Sequence, residues 1–249
     1  MDCERHQRWS EIGQEGVITE KSMLSPSEYL DLQECAHPAL FDGAVYAWDP
    51  LKKISEYLKT KLQPGFFGSH LGTSFIGDAV FVGPGTVIEP GVTIKGPAWI
   101  GERCQLRPGC YIRENVIVGN GVVLGNSCEF KNCLIFNDAQ IPHFSYVGDS
   151  ILGHKAHLGA GVILSNFRLD RKEISVRHEG TIIATGLRKF GAIIGDRVEI
   201  GCNAAINPGS LIGRDCMVYP LTHFGGVLAA NTILQNRPDL RKIPRDHEH

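Results

Sequence analysis

The 249-residue sequence contains no apolar run approaching the roughly eighteen residues that a membrane span requires, no Cys-x-x-Cys pair and almost no net charge. The first absence excludes a spanning helix. The polar opening MDCERHQRWSEIGQEG also lacks the form of a secretory signal, so a cytoplasmic protein is the default expectation. Without a Cys-x-x-Cys pair the common structural zinc sites have no ligand framework. A formal net charge of −2 leaves no electrostatic footprint for a nucleic acid. His154 and His157 stand three apart and no histidine lies between His70 and His143, so His143, His154 and His157 are not read as a zinc set and no metal is expected.

What the sequence does contain is a repeat. From Ile76 to Ile141 it divides into eleven six-residue units that open on Ile76, Val82, Ile88, Ile94, Ile100, Leu106, Ile112, Val118, Leu124, Phe130 and Phe136. The fifth place of each unit is small or β-branched (Val80, Thr86, Val92, Ala98 and so on to Cys128) and then relaxes to Leu134 and Gln140. A fixed six-residue period predicts a parallel β-helix, with one short strand and one corner per unit and three units per coil. The opening aliphatic and the fifth residue then point into a narrow interior, while Gly serves the corners. Cys104, Cys110, Cys128 and Cys216 fall on the fifth place, which predicts small buried core fillers.

Three segments organise the chain. Residues 1–70 lack the repeat and read as loops and helices. SPSEYLDLQECA begins on a Ser cap and DPLKKISEYLKTKL on Asp-Pro, and Gln63-Pro64-Gly65 stops the second. Leu51, Ile54, Leu58 and Leu62 give that helix one apolar face, expected to pack against the first coil. Residues 71–225 form the coil, and 226–249 a polar tail ending NRPDLRKIPRDHEH. The count slips by one residue between Val147 and Leu152. It is interrupted again over 167–193, where KEISVRHEGTIIAT alternates as a β-hairpin turning at Glu179-Gly180. The class is therefore all-β, with a small helical N-terminal segment and an inserted hairpin. Breaks in a strict solenoid mark the face where function sits, which points to HFSYVGDS (His143–Ser150) and LGAGVILSN (Leu158–Asn166).

The succession LRPG (Leu106–Gly109), GNSCEFK (Gly125–Lys131), HFSYVGDS and LGAGVILSN resembles the acetyltransferase half of the bifunctional enzymes that make UDP-N-acetylglucosamine; NFRLDRKEI and GLRKFGAIIG resemble the archaeal form. The resemblance covers about 100–225. It implies a left-handed β-helix, a homotrimer, and CoA-dependent N-acetylation of an amino-sugar phosphate such as glucosamine-1-phosphate, in nucleotide-sugar and cell-envelope precursor synthesis. His143 matches the general base. Arg107 and Lys131 match groups that bind the sugar phosphate, and Tyr146, His157 and Lys172 other acceptor contacts. Ala160, Asn166, Phe167, Cys202 and Pro220 match acetyl-CoA contacts.

The chemistry calls for such residues independently. An ammonium is not a nucleophile, so a base titrating near neutrality is needed, and an oxyanion needs fixed donors such as backbone N–H groups in a Gly-rich corner. This chain departs from the family with His157 for Asn and Cys202 for the usual Ser. It also lacks the GxGTRM-type nucleotide loop, so no uridyltransferase activity is expected. The alternative is a β-helix without catalysis, serving as a binding or regulatory module.

Overall fold

The computed structural model describes residues 23–236. From Gly65 to Leu234 the chain winds as a left-handed parallel β-helix with three sheets. Sheet A stacks nine strands from Gly65–Phe66 to Val227–Leu228, and sheet B nine from Ser69–His70 to Ile233–Leu234. Sheet C stacks eight, from Phe75–Ile76 to His223–Phe224. The coil thus runs past the expected 71–225 at both ends. Gly65 pairs with Phe81 and Leu234 with Val218, although the six-residue count is lost there.

Register explains the sequence pattern and corrects it. Val80, Ala98 and Val116 are successive partners, eighteen residues apart. Val116 then pairs with Cys133, and Leu134 with Ile151, each seventeen apart. A five-residue unit therefore follows Phe130 as well as Val147. The inward residue after Phe130 is Ile135, not Phe136, and the fifth place is held by Cys133 and Ala139, which are buried in the coil core. The apparent relaxation to Leu134 and Gln140 is an effect of the missed slip, and the interior stays narrow throughout. Phe136 faces outward, its ring edge-on to Phe41 at 5.9 Å. Cys104, Cys110, Cys128 and Cys216 line the interior as expected, and burial pushes their thiols up.

The outward residues of sheet A form an apolar stripe: Trp99, Ile117, Leu134, Ile151, Ile193 and Leu211. Such a stripe must be covered, and the N-terminal segment covers it. Leu24, Leu30, Leu40, Trp48, Ile54 and Leu58 are buried along it in a second core, distinct from the coil interior. The segment is therefore a strap laid along the helix, rather than a cap on its first coil.

Tertiary contacts also shorten its helices. Helix α1 spans only Pro26–Tyr29, and Ser25 precedes it without a side-chain cap bond. The chain then turns extended, Asp31 N–H donates to the buried Asp196 carboxylate at 2.6 Å, and the Tyr29 carbonyl accepts from Asp196 N–H at 3.0 Å. Asp49–Lys52 is a 3₁₀ turn ahead of helix α2, Ile54–Lys61. The inserted hairpin, Ile174–His178 with Thr181–Leu187, turns at Glu179 and Gly180, both at positive φ, and its Ile174 and Val176 join the strap core. The opening sixteen-residue stretch and most of the polar tail lie outside the described residues.

His37 belongs to this strap. It is 6% exposed, its Nδ1 lies 3.0 Å from the Tyr57 hydroxyl, its Nε2 has no partner, and its ring meets Trp99 edge-on at 4.7 Å. Burial lowers its pKa to about 4. Below the ordinary value of 6.5 the unfolded chain takes a proton that the folded one refuses, so stability falls as pH drops from 6.5 to 4. His37 contributes on the order of 3 kcal/mol to that fall. Urea midpoints at pH 7.5 and pH 5 should differ less in His37→Asn than in the parent; an equal difference would clear His37 of this role.

Candidate active site

The sequence-predicted residues fall into two groups on adjacent corners of the prism. At the corner from sheet B to sheet C, His143, Ala160, Cys202 and Pro220 occupy successive coils. The His143 carbonyl accepts from Gly161 N–H at 3.1 Å, the Ala160 carbonyl from Asn203 N–H at 2.8 Å, and the Cys202 carbonyl from Leu221 N–H at 2.9 Å. His143 ends the strand Gln140–His143 opposite Asn126, with its side chain in solvent, and Cys202 is exposed. Gly159, Gly201, Cys202, Tyr219 and Pro220 line a mainly apolar groove of about 320 Å³ beside this row. Arg107 lies on the same corner two coils earlier, with its guanidinium 3.5 Å from Gln105 Oε1.

His157 stands on the outer face of sheet B, its Nδ1 2.6 Å from Glu199 Oε2 on the next coil. It lines the groove and also a neighbouring cleft of about 520 Å³ with Asp138, Gln140 and Lys155. Glu199 was not foreseen, since its contact with His157 spans the insertion.

The second group lies at the corner from sheet C to sheet A. Asn166 donates its amide hydrogens to the Tyr146 hydroxyl at 3.0 Å and to Asp149 Oδ2 at 2.5 Å. Lys131 Nζ lies 3.5 Å from Asp149 Oδ1, which also accepts from Asn132 Nδ2 at 2.9 Å. With both amide hydrogens engaged, Asn166 has its carbonyl oxygen to offer a further partner. Burial, and next to it Asp149, push the Tyr146 phenol up, so it keeps its proton as a donor. Asp149 is the residue that sequence reasoning passed over. It lies within the five-residue unit after Val147, but its contact with Asn166, seventeen residues on, is set by the stacking of coils.

Phe167 and Lys172 belong to neither group. Both are exposed on the insertion, where Lys172 N–H donates to Asp170 beside the Arg168–Asp170 ion pair. The Asp170 carboxyl is held well below its usual range by the hydrogen bond from Arg168. Among the described residues no cluster of three or more His, Cys, Asp or Glu has metal-ligand geometry, and no helix is long and apolar enough to cross a membrane.

Gly148 makes the second group possible. A Cβ there would collide with the Tyr146 hydroxyl and lie 2.7 Å from Asn166 Nδ2. Gly148→Ala should break the Tyr146–Asn166 bond with a stability loss of about 1–3 kcal/mol. Denaturant titration, with hydrogen exchange at the Asn166 side-chain amide, measures both. An unchanged midpoint and an intact amide signal would contradict this packing.

The family described as "GMPPB C-terminal domain" matches residues 94–187. A bifunctional sugar-1-phosphate nucleotidylyltransferase/acetyltransferase of Sulfurisphaera tokodaii is 44% identical over 92 residues, 37% of this chain and 23% of that protein. The bifunctional protein GlmU of Methanococcus vannielii is 40% identical over 96 residues, 36% of this chain and 23% of its own length. The chain thus spans about a quarter of the length of these curated relatives. A mutant perosamine N-acetyltransferase from Caulobacter crescentus, solved with CoA and GDP-perosamine, shares 17% identity over 68% of this chain and 52% of its own, with a TM-score of 0.31. In sequence, the coil of this chain is similar to the acetyltransferase half of the bifunctional sugar-1-phosphate nucleotidylyltransferase/acetyltransferases.

Proposed function

We propose that this protein is a CoA-dependent N-acetyltransferase acting on an amino-sugar phosphate such as glucosamine-1-phosphate, without uridyltransferase activity and in the cytoplasm. The observation that carries the reading is the solvent-facing His143 at the foot of the row Ala160–Cys202–Pro220, with Tyr146 and Asn166 across sheet C. His143 takes the proton from the amine as its nitrogen bonds the acetyl carbon. The Ala160 N–H at the Gly-rich corner, whose neighbours Gly159 and Gly161 already donate within the coil, holds the tetrahedral oxyanion. The C–S bond then breaks, and the proton passes to the departing thiolate. The apolar groove beside Cys202 and Pro220 suits the pantetheine arm of acetyl-CoA, while the thioester supplies the activated acetyl group.

A homotrimer belongs to this reading. The strap covers sheet A, whereas the outer faces of sheets B and C carry His157, Ile163 and Met217 half or fully exposed. Three prisms packed through those faces would set the His143 row of one copy beside the corner of its neighbour.

The second reading, a binding or regulatory β-helix without catalysis, draws on two pairings. His157 is held by Glu199 where the family has Asn, and Lys131 is already neutralised by Asp149. Calorimetric titration with acetyl-CoA, followed by thiol release with glucosamine-1-phosphate and a panel of amino sugars, separates the two. Micromolar binding with thiol release supports the transferase; no binding at millimolar acetyl-CoA defeats it.

A further inference from the structure

Asp149 is 4% exposed, yet four groups converge on it. Its carboxylate receives Lys131 and Asn132 from the preceding coil and Asn166 from the last residue before the insertion. Its carbonyl accepts from Gly191 N–H at 2.8 Å, where the insertion returns. Ser150 completes the junction, accepting from Ala192 N–H at 3.0 Å. A buried carboxylate is costly unless its lone pairs are filled. These are filled only when the corner and Asn166, the first foot of the insertion, adopt one arrangement, and the Asp149 carbonyl holds the second foot through Gly191, so this residue ties the hairpin's attachment to the side chains that face the ligand.

We infer that Asp149 is a positioning residue for ligand binding at this site: it fixes Lys131 and Asn166, and through Asn166 the Tyr146 hydroxyl, in one geometry. The inference rests on the acyltransferase reading, which gives Lys131 and Tyr146 to the acceptor and Asn166 to acetyl-CoA. Asp149 acts through its neighbours, since its carboxylate oxygens are occupied by them. His143 lies across sheet C on the other corner, in the separate row already described. Loss of Asp149 therefore weakens affinity and leaves the proton transfer largely intact.

Asp149→Asn preserves the volume and suits the positive φ of 49° at this position. The experiment compares the parent, Asp149→Asn, Lys131→Met and the double variant by calorimetry with acetyl-CoA and by thiol-release kinetics with glucosamine-1-phosphate. In Asp149→Asn the Kd for acetyl-CoA and the KM for acceptor should each rise about tenfold, the scale of a lost charge-assisted bond, with kcat changing less than about threefold. Lys131→Met should raise the acceptor KM, and the double variant should be no worse than the poorer single, because the two side chains act as one unit.

Unchanged Kd and KM in a thermally weakened Asp149→Asn, or effects that multiply with Lys131→Met, would overturn the positioning role while the transferase stands. A parent protein that neither binds acetyl-CoA nor releases thiol overturns the transferase reading and this inference with it. If Asp149→Asn is recovered unfolded, Asn132→Gly, which suits the positive φ of 45° there, removes one donor from the same carboxylate. It should then raise the acetyl-CoA Kd about threefold, and an unchanged value overturns the role.

Discussion

His143→Ala should lower turnover at least about 100-fold while folding and acetyl-CoA binding persist, the deficit expected when a general base is removed. The side chain is exposed, so its truncation opens no cavity. The contacts that fix the local backbone are made by the His143 carbonyl, which accepts from Gly161 N–H at 3.1 Å and from Ser145 Oγ at 3.0 Å, and both survive the substitution. Circular dichroism and calorimetry check what is retained, and single-turnover thiol release checks what is lost. Because the base acts only as the new bond forms, the loss should appear in kcat, unlike the loss of affinity expected from Asp149→Asn. Turnover within a few-fold of the parent would remove His143 from the mechanism.

Trp48→Ala should cost about 3–5 kcal/mol, the largest stability effect expected here, because an entire indole leaves a packed site. Trp48 is fully buried, stacked on Tyr46 at 4.6 Å and tilted against Phe190 at 5.9 Å. Its Nε1 has no hydrogen-bond partner, so Trp48→Phe should recover much of the loss by keeping ring packing and removing the stranded donor. The strap and the coil have separate cores, so the damage should be local. Hydrogen exchange should accelerate over residues 23–62 and the hairpin, with the coil strands staying protected. A stability loss below 1 kcal/mol, or exchange that rises equally in the coil, would refute this division.

Much of the architecture was legible because the governing rule is local. Alternation within each six-residue unit fixes which side chains face inward, and it named Ile88, Ile100, Leu106 and Leu124, all of which are buried. The hairpin turn was legible for a similar reason, since Glu179-Gly180 needs only local backbone conformation. The rule failed where a unit lost a residue that its immediate neighbours do not reveal. After Phe130 the sequence supplies both Ile135 and Phe136 as plausible openers, and only the pairing of Val118 with Ile135 decides between them.

The candidate site divides along the same line. Within the strings that flank the breaks in the repeat, His143, Tyr146 and Asn166 could be singled out by the family resemblance. Their partners could not, because contacts between outward side chains depend on how coils stack. His157 meets Glu199 and Asn166 meets Asp149 through registers of 42 and 17 residues.

By itself, then, the sequence determined the β-helix, its narrow interior and the inserted hairpin, since backbone geometry and inward alternation act over a few residues. Only the tertiary structure decided that the N-terminal segment is a strap on sheet A and that Asp149 gathers Lys131, Asn132 and Asn166. Both depend on which outward residues the stacked coils bring together, a relation set by register across whole coils.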